Sequence, residues 1–456
     1  MDLITQAPRG TQDVLPEDSH RWQYVEQTAL SIARDFGFRE IRTPVFEHTN
    51  LFQRSVGETT DVVQKEMYTF DDKGGRSITL RPEGTAGAVR SFLEHGLFNE
   101  PSPMKVYYLT SCYRYEKPQA GRLREFHQFG VECFGTSSPA QDAEVIALAD
   151  EVFGFLGVKG LELQINSIGC PHCRPIYQKA LKDYFTAHKD ELCETCTDRL
   201  ERNPMRIIDC KEESDELKDN APVVLDYLCE ECKDHFEKVQ KYLEAMNIDF
   251  TINPRIVRGL DYYTKTVFEF VSHDIGAQGT VCGGGRYDGL CEELGGKSIP
   301  ALGFGMGMER LMLLLEAQGI ELPKEEPMAL YLATAGDAAS FKAAQIVHDL
   351  RAEGVACAFD TVGRSIKAQM KYANKTGADF TAVIGDNELE SGTVQLKYME
   401  TGETTEVKLD TFAEDFQQIA MNAAMSALQA ELNTSEGDLA NVDLSALLGG
   451  NTTWTE

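Results

Sequence analysis

The sequence predicts an α+β protein with two domains, and three features carry this prediction. Strand-like runs recur close together within residues 1–325, between helical stretches, which is typical of an antiparallel sheet flanked by helices. The segment 170–245 interrupts this pattern because it is charged, helical and rich in cysteine. Beyond the charged stretch between Pro323 and Pro327, strands alternate with helices, which indicates an α/β domain at 326–425.

Length, charge and cysteine content narrow the class of protein. With 456 residues, 42% of them hydrophobic, the chain can bury large cores. The sequence has neither a recognisable signal peptide nor an apolar run of roughly 20 residues, so we expect a cytoplasmic protein without membrane contact. Twelve cysteines then indicate reduced thiols or bound metal rather than disulfides. The formal net charge of -29 argues against indiscriminate coating of nucleic acid, since phosphate neutralisation needs basic surface.

The elements of the first domain follow one another in a clear order. A helical stretch ends at Gly37, and "REIRTPVFE" follows as an expected strand that carries Pro44. The later strand-like runs are "RSITLRPE", "MKVYYLTSCYRYEK", "REFHQFGVECFG", "RIVRGLDYYTKTVFEFVS" and "GTVCGGGRYDGL".

A strand with glycine at every second position, "ALGFGMGMER" at 301–310, closes this series. Leu302, Phe304, Met306 and Met308 would share one apolar face, which leaves the opposite face nearly bare. Interior glycine weakens a strand and usually marks the close approach of a ligand or of another backbone. We therefore predict a floor for a flat ligand with Arg310 at its edge, although the glycines could instead serve only close helix packing.

Two further strands carry polar side chains that are poor core material. Arg114 and Glu116 end one strand, and a loop with Lys117, Arg122 and Arg124 leads into the next. The returning strand presents Phe126, Gln128, Gly130 and Glu132 on one face. Burying unpaired polar groups costs several kcal/mol. The set therefore predicts a lined pocket, with a solvated strand face as the alternative.

Other motifs complete this pocket. Glu83, Gly84 and Thr85 stand at the end of a strand before a small-residue helix, and Arg258 precedes Tyr262 and Tyr263. "CGGGRYDGL" offers three glycines and Arg286, a weak signal by itself. The guanidinium groups of Arg114, Arg258 and Arg310 suit a polyphosphate, which they can pair bidentately. Glycine floor, aromatic ring and arginines together predict a nucleotide site.

The cysteines of the insertion suggest a metal site. "CPHC" at 170–173 and "CETC" at 193–196 are separated by 19 residues, a zinc-ribbon-like spacing. Cys210 and "CEEC" at 229–232 add three thiols. We predict a structural zinc bound by Cys170, Cys173, Cys193 and Cys196. The alternative is that these residues pack as small hydrophobes.

These segments together resemble the class II aminoacyl-tRNA synthetases. "RGLDYYTKTVFEF" and "CGGGRYDGL" closely match two signature peptides of the bacterial histidyl-tRNA synthetases. "REIRTPVFE" resembles the first class motif, at the dimer interface, "YRYE…REFHQFG" the second, and "GFGMGMERL" the third. The resemblance implies a class II catalytic domain at 1–325, an anticodon-binding domain at 326–425 and a homodimer formed through the first motif. An acidic tail at 426–456 is expected to be mobile.

The resemblance also implies substrates and residue roles. ATP with Mg²⁺ would be bound with Arg114 and Arg258 on the α-phosphate as the catalytic residues. Arg310 would hold the γ-phosphate, Phe126 would stack on adenine with Glu116 near its amino group, and the glycine face would underlie adenosine. The histidine pocket would comprise Glu83, Gly84, Thr85, Arg114, Gln128, Glu132, Arg258, Tyr262 and Tyr263.

Physical chemistry supports histidine as the amino acid. Neutral imidazole offers one donor and one acceptor, and selective binding needs a partner for each, such as Glu132 and the Tyr263 hydroxyl. Glu83, Thr85 and Gln128 could hold the ammonium group. We expect ATP-dependent activation of L-histidine and its transfer to the 3′ end of tRNA(His). The alternatives are a catalytically silent histidine sensor, resembling the regulatory subunit of ATP phosphoribosyltransferase, and a tRNA-binding module without ligase activity.

A local basic segment predicts where so acidic a chain binds tRNA. In "GRSIKAQMKYANKTG", the basic residues Arg364, Lys367, Lys371 and Lys375 recur at helical spacing. We predict that Lys367 and Lys371 contact the tRNA backbone, and that Arg122 and Arg124 approach the acceptor end. The alternative is an ordinary solvated basic face.

Overall fold

A computed structural model describes residues 5–57, 60, 62–210, 212–258, 262–276, 279–325 and 327–434. The chain forms two compact units, Met1–Lys324 and Glu325–Glu456. Within the described ranges, every helix is too short or too polar to span a bilayer.

The first unit contains a large sheet and a small one. Its strands are, in chain order, β1 Arg39–Glu40, β2 Phe46–His48, β3 Thr69–Asp71, β4 Ser77–Leu80, β5 Met104–Tyr113, β6 Glu125–Phe134, β7 Glu162–Ser167, β8 Thr251–Ile252, β9 Thr264–Val271, β10 Thr280–Arg286 and β11 Ala301–Gly307. The large sheet has the order β1-β5-β6-β11-β10-β9-β7-β8. Its six central strands are antiparallel, and only the edge strands β1 and β8 pair in parallel. The glycine strand β11 therefore lies inside the sheet.

Helices cover this sheet and form the insertion. They are α1 Pro16–Asp35, α2 Thr49–Val56, α3 Thr85–Glu94, α4 Pro139–Phe155, α5 Cys173–Ala187, α6 Glu194–Arg202, α7 Met205–Ile208, α8 Asp215–Asp219, α9 Glu230–Ala245, α10 Leu290–Glu293 and α11 Met308–Ala317. One core joins α1, α4, α9 and α11 to the sheet through residues such as Val25, Ile146, Val239, Leu311 and Phe304. The insertion helices α5–α8 contribute to a second core.

The expected strand "REIRTPVFE" is broken at Pro44. β1 ends at Glu40 and β2 begins at Phe46, so Pro44, which lacks an N–H donor for strand pairing, lies in the gap between them. The carbonyls of Thr43 and Pro44 instead accept hydrogen bonds from Nη1 of Arg81, at 2.9 and 3.2 Å. β4 then pairs with β2 and β3 in a separate three-stranded sheet, rather than in the large sheet.

The second unit is an α/β domain. Its elements are β12 Leu330–Thr334, α12 Asp337–Ala352, β13 Cys357–Phe359, α13 Ile366–Lys375, β14 Phe380–Ile384, α14 Asp386–Ser391, β15 Thr393–Tyr398, β16 Thr404–Lys408 and α15 Phe412–Thr434. The sheet order is β13-β12-β14-β15-β16, parallel over the first three strands and antiparallel beyond. The predicted α+β class is confirmed. Helix α15 runs past residue 425, so the beginning of the predicted tail is helical, and residues 435–456 lie outside the described ranges.

Candidate active site

The glycines of β11 make room for polar side chains of the adjacent strand β6. A Cβ atom at Gly303 would overlap the carboxylate of Glu132, and one at Gly305 would overlap the amide of Gln128. The opposite face of β11, with Leu302 and Phe304, is buried in the core, as the alternation predicts. The glycine face of β11 is therefore not a bare surface for a ligand, because the side chains of Glu132 and Gln128 already lie against it.

Glu132 is the centre of a buried hydrogen-bonded cluster. The hydroxyl of Tyr108 donates to Glu132 Oε1 at 3.0 Å, and the hydroxyl of Tyr287 donates to Oε2. Glu132 itself is fully buried. Burial raises the pKa of Glu132 to about 8 and outweighs the opposing hydrogen bonds from Tyr287, Thr85 and Tyr108. Burial thus favours the protonated form of this carboxyl group when no ligand faces it.

Tyr108 fits this cluster because two glycines leave space for its ring. A Cβ atom at Gly84 or at Gly130 would overlap the ring of Tyr108. Gly130 lies directly opposite Tyr108 in the β5–β6 pair. Neither Tyr108 nor Tyr287 was predicted from the sequence as a residue of this site.

The start of α3 joins the same pocket. Glu83 is buried and accepts hydrogen bonds from the backbone N–H groups of Thr85 at 2.7 Å and Ala86 at 2.9 Å. These are two of the donors that the first turn of a helix leaves without intrahelical partners. Burial raises the pKa of Glu83, against these hydrogen bonds. The N–H of Gly84 donates to Oε1 of Gln128 at 3.1 Å, which fixes the amide in the pocket.

The two adjacent tyrosines face different neighbours. The rings of Tyr262 and Tyr263 are 4.7 Å apart and both side chains are buried. Tyr262 also contacts the ring of Tyr287 at 5.5 Å, which connects it to the Glu132 cluster. The ring of Tyr263 lies 5.7 Å from the guanidinium carbon of Arg258. The hydroxyls that contact Glu132 belong to Tyr108 and Tyr287, and the expected contact of the Tyr263 hydroxyl with imidazole stays a prediction.

Arg258 is held between two strands of the sheet. Its guanidinium group forms an ion pair with Glu269 on β9 and lies against Gly283 on β10, where a Cβ atom would overlap it. Glu269 also accepts a hydrogen bond from the hydroxyl of Thr280 at 3.0 Å. The backbone carbonyl of Arg258 accepts a hydrogen bond from Nη1 of Arg206 at 3.1 Å. Both ends of this residue are thus fixed by the surrounding structure.

A cavity of about 160 Å³ next to these residues is lined by more basic than acidic side chains, although Glu116 and Glu309 also line it. Its lining includes four arginines, together with Glu116, Phe126, Gln128, Gly283, Gly305 and Gly307; the arginines are Arg114, Arg122, Arg258 and Arg310. Burial, with the nearby charges of Arg122 and Arg114, lowers the pKa of Arg310 to about 10. Clustered guanidinium groups repel one another, and an anionic ligand relieves this repulsion. The cavity therefore suits a phosphate-bearing ligand.

The aromatic wall of this cavity is also in place. The ring of Phe126 lies 5.2 Å from the guanidinium carbon of Arg114, whose Nε donates to the carbonyl of Pro82 at 2.8 Å. Arg310 donates from Nη1 to the carbonyl of Thr280 at 2.7 Å. A polyphosphate bound by the arginines would thus have a flat ring beside it, as a nucleotide requires.

Comparison with known proteins decides the family. Residues 10–311 match the family model described as histidyl-tRNA synthetase, and residues 330–419 match an anticodon binding domain. The chain belongs to the histidyl-tRNA synthetase family. The histidine–tRNA ligase of Caldanaerobacter subterraneus subsp. tengcongensis is 58% identical over 409 residues, which cover 90% of this chain and 98% of that protein. The enzyme of the same name from Acetivibrio thermocellus is 56% identical over 410 residues, with 90% and 98% covered.

Solved structures support the same family. The apo histidyl-tRNA synthetase of S. aureus superimposes with a TM-score of 0.78 at 43% identity, covering 91% of this chain and all of that one. The sequence-based prediction of a histidyl-tRNA synthetase is therefore confirmed.

Two of the basic residues predicted to contact tRNA, Arg122 and Arg124, lie in or beside the basic cavity. Arg122 forms an ion pair with Glu116 inside the basic cavity. Arg124 places its guanidinium carbon 3.8 Å from the ring centroid of Tyr115, and its Nε donates to the carbonyl of Glu116 at 3.1 Å. Both guanidinium groups thus already have partners within the protein.

The basic helix of the second unit is exposed. Lys367 and Lys371 lie on α13 with their side chains in solvent. Arg364 precedes the helix and pairs with Asp360 at 2.7 Å, so it does not belong to the basic stripe. The exposed basic stripe is therefore shorter than the sequence indicated, because Asp360, which precedes the segment beginning at Gly363, pairs with Arg364.

Arg286 has a structural role and not a nucleotide-binding one. Its fully buried guanidinium group pairs with Asp142 on α4, which His235 of α9 also contacts at 2.8 Å. Arg286 thereby ties β10 to two helices. The glycine run before it lies in the middle of the sheet and not in a phosphate-binding turn.

The predicted zinc ligands are not brought together as one set. Cys170 and Cys173 meet the second pair of the insertion, Cys229 and Cys232. Cys193 and Cys196 meet Cys210 and Glu213 instead. The prediction of one site formed by Cys170, Cys173, Cys193 and Cys196 is wrong in its pairing, because helix α5 separates the first pair from the second along the chain and α9 returns to the first.

Proposed function

We propose that this protein activates L-histidine with ATP to histidyl-adenylate and then transfers histidine to the 3′ end of tRNA(His) in the cytoplasm. The observation that carries the proposal is the position of Glu132, buried among tyrosine hydroxyls, beside a cavity lined by four arginines. A site for a small polar side chain next to a site for polyphosphate is what amino-acid activation requires.

Histidine recognition is proposed to depend on Glu132 and its hydroxyl partners. A carboxylate oxygen of Glu132 accepts the imidazole N–H, and a tyrosine hydroxyl donates to the other ring nitrogen. Glu83, Thr85 and Gln128 hold the ammonium group at the start of α3. Amino acids without both ring nitrogens leave these buried groups without hydrogen-bond partners, and the binding free energy is then less favourable.

The adenylation step is proposed to use fixed positive charge. The histidine carboxylate attacks the α-phosphorus of ATP, bound with Mg²⁺ as the substrate, and pyrophosphate leaves. Arg114 and Arg258 stabilise the charge that develops on the α-phosphate oxygens, because donors fixed in advance need no reorganisation. Arg310 binds the γ-phosphate. Phe126 stacks on adenine with Glu116 near its amino group.

The tRNA contacts are proposed on the basic surface that each unit presents. Lys367 and Lys371 of the anticodon-binding domain contact phosphates of the tRNA backbone. Arg122 and Arg124 approach the acceptor end. Arg122 keeps or exchanges its ion pair with Glu116, and Arg124 keeps or exchanges its contact with the ring of Tyr115.

A homodimer is proposed through residues 39–47. Val45 and Phe46 are 41% and 57% exposed in the single chain, next to the break at Pro44. Adjacent exposed apolar side chains commonly mark a protein interface. A second copy of the chain would cover them.

We also propose that the cysteine-rich insertion binds zinc in a structural role.

Aminoacylation tests this function. The full-length protein, given ATP, Mg²⁺ and labelled histidine, is expected to charge tRNA(His) and to leave unrelated tRNA uncharged. A silent histidine sensor would bind histidine without charging, and a tRNA-binding module would bind tRNA without histidine. Either result with folded protein would overturn the proposal.

A further inference from the structure

Seven of the twelve cysteines lie in the insertion, and six of the seven come in closely spaced pairs. The structure gathers all seven into two groups. The four-cysteine group comprises Cys170, Cys173, Cys229 and Cys232, and the three-cysteine group comprises Cys193, Cys196 and Cys210 with Glu213. Within each group the four candidate ligand atoms all lie within 4.8 Å of one another.

The four-cysteine group has the dimensions of a tetrahedral thiolate site. Cys170 Sγ lies 3.6 Å from Cys173 Sγ and 4.0 Å from Cys229 Sγ. Four thiolates at the Zn–S distance of about 2.3 Å stand about 3.8 Å apart in a tetrahedron. The backbone N–H of Cys229 donates to Cys173 Sγ at 3.0 Å. Such outer contacts orient metal ligands and stabilise thiolates.

The three-cysteine group has the same spacing and a buried carboxylate. Cys193 Sγ lies 4.0 Å from Cys210 Sγ, and the N–H of Cys196 donates to Cys193 Sγ at 3.4 Å. Glu213 is only 6% exposed and accepts the N–H of Cys193 at 2.9 Å. A carboxylate buried among thiols is costly unless a cation joins them. Carboxylate oxygen is an established zinc ligand.

Both groups are connected to the segment that carries Arg258 and the pocket tyrosines. Arg174, next to Cys173, donates to the carbonyl of Tyr263. Arg206, which lies between Cys196 and Cys210 in the chain, donates to the carbonyl of Arg258 at 3.1 Å. Each group thus lies near one of the two arginines that contact the ends of this segment.

We propose that each group binds one Zn²⁺ ion, and that the two ions fix the insertion against the ends of the segment at Arg258 and Tyr263. Thiolates are soft ligands that favour zinc in a reduced compartment. Zinc binding by the two groups is independent of the proposed function, whereas the effect of zinc on histidine binding rests on that function. Arg174 and Arg206 are positioning residues in this account.

Metal analysis of the full-length protein, purified without chelator, tests the two sites. We expect two zinc ions per chain. Cys232→Ser should leave one by disabling the four-cysteine group, and Cys210→Ser should leave one by disabling the three-cysteine group. Cys357→Ser, in the second unit, is the matched control and should retain two. Absence of zinc from the wild-type protein would overturn the proposal. If the wild-type protein held a single ion and only one of the two variants lost it, the site changed in the other variant would be overturned.

Two measurements on the wild-type protein keep the test valid if a variant fails to fold. Exchange of the metal for Co²⁺ should produce the visible bands of tetrahedral cobalt thiolates, and their absence contradicts the proposed geometry. Titration of the denatured, chelated protein should find all twelve thiols. A shortfall would mean disulfides in place of metal and would likewise contradict it.

Pyrophosphate exchange tests the connection to the active site. Chelator-treated protein, and the variant Arg174→Ala with both ions retained, should show a KM for histidine raised about tenfold, as expected for a lost hydrogen bond. In Arg174→Ala the KM for ATP should change far less, because Arg174 donates to the carbonyl of Tyr263, whereas Arg206 donates to that of Arg258. The chelated protein also loses the support of Arg258 through Arg206, so it should weaken for both substrates, and zinc should restore it. Equal changes in both constants for Arg174→Ala would contradict the proposed positioning.

If the wild-type protein itself did not catalyse exchange, the proposed function would fail. The number of zinc ions per chain would still decide whether the metal sites exist.

Discussion

The hydroxyl of Tyr108 donates a hydrogen bond of 3.0 Å to Glu132, a fully buried carboxyl whose pKa rises to about 8. The ordinary value is 4.5, so the folded protein holds this proton over a range in which the unfolded chain releases it. Stability from this group is full below pH 4.5 and is lost as the pH rises through about 8. The pocket is therefore least stable, when empty, at the pH where its carboxylate is available for histidine.

Glu132→Gln should separate these two effects. Glutamine has the shape of the protonated acid and does not titrate, so the melting temperature of the variant should exceed that of the wild type increasingly between pH 5 and pH 8. Histidine-dependent adenylation should fall by about 10², because a charge-assisted hydrogen bond is lost. Thermal unfolding over this pH range and exchange kinetics measure both. A melting-temperature difference independent of pH would show that Glu132 does not titrate as described.

Arg258→Ala should leave the fold intact and lower adenylate formation by about 10² or more, since a charge partner of the transition state is removed. Single-turnover adenylation measures this effect. Arg255→Ala is a matched control in the same segment, because Arg255 pairs only with acidic side chains of α8, Asp215 and Asp219, in the contacts described. Unchanged adenylation in the Arg258 variant, or equal losses in both, would exclude the assigned role.

Gly305→Ala should weaken histidine binding by displacing Gln128. The added Cβ overlaps the Gln128 amide, whose hydrogen bond to the N–H of Gly84 would be lost. We expect the KM for histidine to rise about tenfold or more, with a smaller change for ATP. In Gly307→Ala the new Cβ meets its nearest neighbours, atoms of the Arg310 side chain, only at 3.8 Å. That control should leave the KM for histidine near wild type, and a similar rise in both variants would refute the argument.

Lys367→Glu combined with Lys371→Glu should weaken tRNA binding steeply and flatten its salt dependence. Each lost phosphate contact lowers the slope of log affinity against log salt by about one. Pyrophosphate exchange should persist, because it requires only the nucleotide and histidine sites. Lys397→Glu combined with Lys408→Glu, two exposed lysines on β15 and β16 of the same domain, is the charge-matched control. Wild-type affinity and slope in the double variant would leave α13 as ordinary solvated surface.

Much of the fold was predictable because alternation and turn residues are local signals. The sequence predicts the polar face of β6 from Phe126 to Glu132 and the apolar face of β11, since strand geometry alone decides which residues share a face. The strand expected through Pro44 was wrong, although proline is disfavoured inside a paired strand because it lacks the N–H donor.

The features that were missed depend on contacts between distant parts of the chain. Tyr287 reaches Glu132 across 155 positions of sequence, and no local pattern signals that pairing. The cysteine groups show the same limit. Cys170 finds Cys229 and not the nearer Cys193, because the return of α9 and not the spacing along the chain selects the partner. Asp360 was missed as the partner of Arg364 for a simpler reason, since it precedes the basic segment that begins at Gly363.

The most direct test of the central claim is histidine-dependent exchange of labelled pyrophosphate into ATP by the wild-type protein, measured with each amino acid in turn. The account predicts rapid exchange with histidine and a preference of about 10⁴ over the other amino acids, because Glu132 and its hydroxyl partners would otherwise remain unpaired. Exchange that failed with histidine, or that proceeded as well with another amino acid, would contradict it.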